Sequence, residues 1–350
     1  MVSCGGANNP EETKVYTIAR LVSVATDGRD AFIAWVEDAE TEATGLLGET
    51  LRGAILTADG DVNASDLEVS FGSAYGNTAQ VLFDGRSYVV ISRGGFRVDT
   101  DGNVVQSGFW VPTLSGYSSP RGVSAKDAGL MVWTDTWDGY PAPLEVAWFP
   151  HDGAPFQIKL SEQVSLGAYG AASDGTDFLV AWHDQAGVRA TRISAAGAII
   201  DASPIVISTI TDPNVVTAAF DGTDYVVAWG SGTLVAQRVT TSGVVLDPGG
   251  FRLGDVALGN DPRWSPPMWG TSCGASAIFV WGQANYVGAR FVSDRPVTIL
   301  PLPVITEEFS RIALAGSPSG CFVVWTRGGI QAARIGASGN LVDPTGIVVR

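Results

Sequence analysis

The 350-residue sequence predicts an all-β chain, a single seven-bladed β-propeller of four-stranded antiparallel blades. Three observations predict it. First, one phrase recurs. Ser173–Trp182 reads Ser-Asp-Gly-Thr-Asp-Phe-Leu-Val-Ala-Trp, Asp221–Trp229 reads Asp-Gly-Thr-Asp-Tyr-Val-Val-Ala-Trp, and Asp27–Trp35 reads Asp-Gly-Arg-Asp-Ala-Phe-Ile-Ala-Trp. Second, aligning every copy on its last position gives the slots Trp35, Ser92, Trp133, Trp182, Trp229, Trp281 and Trp325, spaced 41 to 57 residues apart. A period of about 40–50 residues with four short strands per unit is propeller spacing. Third, no long amphipathic helical pattern interrupts the repeats.

The phrase explains itself physically. Asp-Gly is turn chemistry: Gly takes positive φ without steric penalty, and Asp bonds its own backbone. The residues that follow are aromatic, β-branched or aliphatic, and too few for a helix. Phe178, Val180 and Trp182 alternate with Leu179 and Ala181, so both faces of this strand are apolar. Such a strand is buried on both faces, as in a sheet stacked between two others.

One unit is clearest at 167–208. An inner strand runs into Ala171-Ala172, the Asp174-Gly175 turn follows, and Phe178–Trp182 is the second strand. Val188–Ser194 is the third, and Ala198–Ser208 the outer strand, interrupted near Pro204. The fifth unit repeats this with Val216–Phe220, Tyr225–Trp229, Thr233–Thr240 and Val244–Leu253. The seventh ends in Cys321–Trp325, Gln331–Ile335 and Leu341–Val349. Units two, three and six depart: Ser92 holds a Trp slot, Asp127-Ala128-Gly129 shortens a turn, and Cys273-Gly274 stands where Asp-Gly belongs. Residues 15–350 form the propeller, and residues 1–14 are expected to be a flexible tether. Whether Val15–Ile18 joins a blade edge at the ring closure is open at this level.

The formal net charge is −15, with 36 acidic and 21 basic residues. That charge excludes nucleic acid, whose phosphates attract Lys and Arg, and anionic membrane surfaces. No apolar run approaches the roughly 20 residues of a membrane helix. Met1-Val2-Ser3-Cys4-Gly5-Gly6 resembles the cleavage end of a bacterial lipoprotein signal, which makes Cys4 a candidate lipidation site and the only expected link to a membrane.

The recurring Asp-Gly-x-x-aromatic-Leu/Val-Val-Ala-Trp, then Ala-x-Arg-Val/Ile, then a Gly turn and Val/Leu-Asp-Pro, resembles a repeat of secreted bacterial propellers of myxobacterial type. Here it is carried by Ala190-Thr191-Arg192-Ile193 with Ile200-Asp201, by Ala236-Gln237-Arg238-Val239 with Leu246-Asp247-Pro248, and by Ala333-Arg334-Ile335 with Val342-Asp343-Pro344. The resemblance covers about residues 20–350. It implies a propeller at a secreted or cell-envelope location, often a lipoprotein, and no particular activity.

Candidate sites follow from what the repeat leaves unexplained. Arg192, Arg238, Arg290 and Arg334 recur nine or ten residues past their Trp. They read as scaffold, stacking on the Trp of a neighbouring strand. Asp59, Asp61 and Asn63, with a similar run at Asp99–Asn103, have calcium-like oxygen spacing. They also sit at a hairpin turn that explains the same residues. Cys273 and Cys321 are expected as buried free thiols, with a disulfide as the alternative. The pattern carries no metal spacing, and no cofactor is expected.

The loops joining second to third strands, and those crossing between blades, emerge on one end of a propeller. That end collects the least repetitive residues: Glu37, Arg93, Asp135, His183, Asp184 and Arg327 just past the Trp slots, Trp137 and Tyr140 in an insertion, and Arg263 and Trp264 in a crossing. Trp beside Asp, Arg and Tyr suits a sugar, and equally a protein partner. The leading expectation is therefore a non-enzymatic, monomeric binding protein for a glycan or protein, with Trp137, Tyr140, Trp264, Arg263, Asp135, His183, Arg93 and Arg327 as binding residues. The alternatives are a polysaccharide hydrolase or lyase using Asp135, Asp184, His183 and Glu37 as acids and bases, and a structural spacer.

Overall fold

The computed structural model describes residues 15–41, 45–71, 79–112, 120–134, 142–165, 168–210, 213–255, 268–281, 287–291, 297–300, 312–326 and 328–350. They form seven four-stranded antiparallel sheets, each built from four consecutive strands. Each sheet is one blade, and the first strand of each lies innermost, against the first strands of its neighbours. The expected all-β, seven-bladed architecture is the observed one.

Blade one is Val15–Thr26, Ala31–Thr41, Gly45–Leu56 and Val62–Phe71, and blade seven is Ile312–Ser317, Gly320–Thr326, Ile330–Gly336 and Ile347–Val348. The ring therefore closes by packing, without a strand exchanged between its first and last blades. Val15–Ile18 belongs to the innermost strand of blade one. The acidic stretch that follows Trp35 in blade one continues the second strand: Ala39 to Thr41 pair with Gly45 to Gly48. Its inner strand bulges between Arg20 and Ser23, where the extension leaves the regular blade.

The hydrophobic core is divided into seven clusters, and each fills one gap between adjacent blades. The slot residue belongs to the later blade and faces the earlier one. Trp229 packs among blade-four side chains such as Leu179 and Val188, and Trp35 packs against Phe322 and Val324 of blade seven. This is why the second strands are apolar on both faces: Phe178–Asp184 is buried from Phe178 to His183. At the boundary of blades one and two, Tyr88 stacks on Phe32 at 5.2 Å in place of a slot Trp.

The recurrent arginines do not stack on the Trp. Arg192 lies opposite Leu179, three positions before Trp182, so the two side chains leave opposite faces of the sheet. Arg192 instead forks onto Asp201, Nε to Oδ1 at 3.1 Å, and its Nη1 donates to Thr241 O of blade five at 2.7 Å. Arg238 pairs with Asp247 and Arg334 with Asp343 in the same way, and Arg334 reaches Ala58 O of blade one. Arg290 donates to Ala337 O of blade seven. The outer strand breaks at each of these aspartates so that the carboxylate can fold back. As a result the long outer strands expected at 198–208, 244–253 and 341–349 shorten to Ile205–Ser208, Phe251–Asp255 and Ile347–Val348.

A glycine opens the space for each crossing arginine. At Gly243 (φ +90°) an added Cβ would lie 3.0 Å from the Arg192 guanidinium carbon. The same slot holds Ile55 in blade one, near Gly102 of blade two. In blade three it holds Trp148, over Gly197 of blade four. Trp148 is thus a boundary residue, packed against Phe156 with ring centres 5.0 Å apart and the planes tilted by 41°. Trp110 is exposed.

Cys273 and Cys321 form a disulfide, where free thiols were the leading expectation. Cys273 opens the first turn of blade six, directly after Met268–Ser272, and Cys321 lies at the start of the second strand of blade seven. Cys273 leaves the sheet at its turn and leans onto the next blade, where its sulfur lies 3.9 Å from Ile335 O.

Candidate functional site

The propeller axis is open at one end. A cavity of 640 Å³ is lined by the innermost strands of all seven blades, with Ala25, Val81, Val123, Ala172, Ala219, Thr271 and Ala315 around its wall. Its rim is made by the first turns, including Asp27-Gly28, Lys126, Asp174-Gly175 and Pro318. Small side chains leave the lumen wide, and the volume falls in the range of small-ligand sites.

This rim is rigid by construction. Each first-turn aspartate is used locally: Asp174 Oδ1 accepts from the Thr176 and Asp177 amides at 2.8 Å, and Asp221 Oδ1 from Thr223 at 2.9 Å and Asp224 at 2.8 Å. The turns are also tied to one another. Lys126 N donates to Gly175 O at 2.9 Å, Gly274 N to Ser317 O at 2.9 Å, and Ser319 Oγ to Gly28 O at 3.1 Å across the ring closure.

The other end of the axis is crossed by an arginine on an indole. Arg121 begins the innermost strand of blade three (Arg121–Ser124), and Trp269 lies near the start of the innermost strand of blade six (Met268–Ser272). The guanidinium carbon is 5.3 Å from the centre of the indole. The next residue of each strand, Gly122 and Gly270, lines the cavity, so the pair stands at the cavity's inner end. Burial pushes the Arg121 guanidinium below its usual value.

The expected site residues separate into two groups. Asp135, Trp137, Tyr140, Arg263, Trp264, Arg327 and Cys4 lie outside the described residues. Glu37, Arg93, His183 and Asp184 are described, all at the end opposite the cavity mouth. Arg93 is exposed on the turn between the second and third strands of blade two.

Glu37 is buried and accepts from Trp35 Nε1 at 3.0 Å, Arg52 Nε at 2.8 Å and Arg350 Nε at 2.7 Å. Burial alone raises its carboxyl, but these three donors outweigh burial and hold it below the usual carboxylate range. It is therefore a fixed anion of the scaffold, poorly suited to donate a proton. Asp184 accepts from Trp182 Nε1 at 3.0 Å and from the Ala186 amide at 2.8 Å. His183 is buried, with Nδ1 2.8 Å from Ser165 Oγ. Being adjacent in one strand, His183 and Asp184 point to opposite faces and do not form an acid–base pair.

The calcium-like residues serve the ring. Thr57–Asp61 is a tight turn, with Asp61 N on Thr57 Oγ1 at 3.0 Å, and it receives Arg334 from blade seven. Asp59 and Asp61 face that cation and help raise its pKa, after the larger contribution of the Asp343 hydrogen bond. Asp99 is occupied by the Asp101 and Asn103 amides. Among the described residues, no group of three His, Cys, Asp or Glu side chains is arranged to hold a metal ion, and no helix is long and apolar enough to cross a membrane.

Two features were missed by the sequence reading. The cavity had a signal, since Ala171-Ala172 and Ala218-Ala219 repeat small residues just before the first turn. Arg121 had none: it lies outside both the repeat phrase and the loops.

No family model and no curated protein sequence matches this chain. Solved propellers resemble it in fold. Hsv2 from Kluyveromyces lactis aligns over 91% of this chain and 94% of its own at 10% identity, with a TM-score of 0.48. TolB from Acinetobacter baumannii aligns over 84% of this chain and 75% of its own at 14% identity and a TM-score of 0.41. The SapL1 lectin, solved with alpha methyl fucoside, aligns over 81% of this chain and 96% of its own at 11% identity and a TM-score of 0.45. At such identities the likeness is one of architecture and carries no ligand with it.

Proposed function

We propose that the protein is a non-enzymatic binding module, secreted or held at a cell envelope. It takes a glycan or a protein at the end of the propeller where the second-to-third strand loops emerge. The observation that carries this reading is the use made of Glu37 and Asp184. Both described carboxylates of the hydrolase alternative are bonded to scaffold Trp and Arg side chains or backbone amides. The Cys273–Cys321 bridge supports an oxidising location, and Cys4 is the residue through which a lipid would attach. The aromatic and charged set Trp137, Tyr140, Arg263, Trp264 and Arg327 is assigned to ligand contact at this end, with Asp135, Arg93 and His183 around it.

A glycan-array screen of residues 15–350 tests this, run beside a Trp137→Ala/Trp264→Ala protein of matched melting temperature. A hit lost in the double variant is the expected result. A hit on the enzyme side, with shortened oligosaccharide products, would replace the binding reading by hydrolysis. The 640 Å³ axial cavity favours a second reading, a small ligand seated at the opposite end. Ala172→Trp fills that lumen, so a hit lost in Ala172→Trp and kept in the double variant would move the site there.

A further inference from the structure

Six arginines of this acidic chain, Arg52, Arg97, Arg192, Arg238, Arg334 and Arg350, each pair with an aspartate or glutamate. Arg121 is different. It is half-buried on the axis, and among the described residues its guanidinium meets the Trp269 ring and no carboxylate. A cation drawn out of water is stabilised by a counter-charge with hydrogen-bond acceptors, and a guanidinium presents a planar fork suited to a carboxylate. Among the described residues this axial cation has an indole and no acid beside it, which points to an acid supplied from outside.

The charge of the whole molecule narrows the ligand. At −15 it repels polyanions such as nucleic acid or polyphosphate, so the anion is a carboxylate on an otherwise neutral or lightly charged body. The inner strand edges narrow it further. An acidic peptide would bind in the channel by adding a strand, using free backbone amides. Several of these are taken: Val81 N donates to Ser23 Oγ at 3.0 Å, Phe83 N to Ser124 Oγ at 2.8 Å, and Phe220 N to Ser272 Oγ at 3.2 Å. Recognition then rests on side-chain chemistry, which suits a sugar ring bearing one carboxylate.

We propose that Arg121, backed by the indole of Trp269, is a subsite for the carboxylate of a uronic-acid-type sugar residue that enters from the loop end of the axis. The subsite deepens the binding reading above and rests on it.

The test is calorimetry on the full chain with three probes: trigalacturonate, its methyl ester, and hexaglutamate. Trigalacturonate is expected to bind about tenfold or more tightly than the ester, as one charged hydrogen-bonded contact allows. An Arg121→Gln protein is expected to bind acid and ester equally. The acid-over-ester preference is read on the wild-type chain, so it does not depend on how a variant folds. Acid and ester binding equally to wild type overturns the subsite. If both are then lost in Trp137→Ala/Trp264→Ala, the binding reading stands without it. Preference for hexaglutamate over the sugar overturns the sugar assignment, and no binding of trigalacturonate overturns the proposal outright.

Discussion

Blade four and blade one share the Asp-Gly-x-Asp phrase and its terminal Trp, yet they hold their neighbours by different chemistry. Blade four anchors Arg192 on its own Asp201 and passes the free guanidinium nitrogen to a carbonyl of blade five. Blade one has apolar Ile55 in that slot, and its outer strand holds the blade-two hairpin instead: Ser65 Oγ and Asp66 N donate to Gly102 O, and Asp66 Oδ1 accepts from Val104 N. Its ion pairs are moved to the other end and the other neighbour, where Glu37 gathers Trp35, Arg52 and Arg350 at the closure with blade seven. The difference teaches that the boundary requires a filled slot over a hairpin glycine, and that its chemistry is negotiable. The Glu37–Arg350 ion pair crosses the one boundary that no loop spans.

The comparison can be broken most forcefully where a boundary is covalent. The Cys273–Cys321 bridge joins blades six and seven across a separation of 48 residues. Loop-closure entropy puts its contribution at about 4 kcal/mol. A Cys273→Ala/Cys321→Ala protein is expected to unfold at correspondingly lower denaturant, with reductant then having no further effect.

The polar boundary comes next. Arg192→Met leaves Asp201 half-buried without its cation, and a loss of about 2–4 kcal/mol is expected by equilibrium unfolding. Its apolar counterpart, Ile55→Val, should lose about 1 kcal/mol. Equal losses would show that the two boundaries do not differ in kind.

The closure can be tested by acid. Hydrogen bonds from Arg238 and Arg334, working against burial, hold Asp247 and Asp343 below the usual carboxylate range, and Glu37 is lowered as described above. Groups lowered by folding stabilise above their unfolded pKa, and this is lost as pH falls through the folded one. Melting temperature should therefore hold from pH 7 to about 5 and fall below pH 4.5. Glu37→Gln should flatten the first part of that fall. The smallest effect is expected at Arg86, whose pair with Asp152 is exposed on both sides. Arg86→Ala should change stability by less than about 0.5 kcal/mol.

The fold was legible because its signals are local. Asp-Gly turns and two-sided apolar strands are written into single phrases, and the spacing of the Trp slots counts the blades. The arginine partner was harder to read. Arg192 and Asp201 are nine residues apart, and only the strand register shows that Arg192 and Trp182 leave opposite faces. Trp148 could not be recognised as a slot residue, because the insertion of blade three shifts it away from the spacing of its equivalents. The candidate site was least legible. Loop residues such as Trp137 and Trp264 are conspicuous by composition alone. The Arg121–Trp269 contact joins strands of blades three and six, and no local pattern announces a meeting across the axis.

The crossing contact has a direction. Slot side chains reach forward onto the hairpin of the next blade, from Arg97 to Pro150 O in one gap and from Arg334 to Ala58 O in the last. Every blade is thus a plug on one side and a socket on the other. Between separate subunits, head-to-tail surfaces of this kind build closed rings when the rotation per unit allows it. A fragment of two blades would carry one vacant plug and one vacant socket, and would complete itself with copies of its own kind.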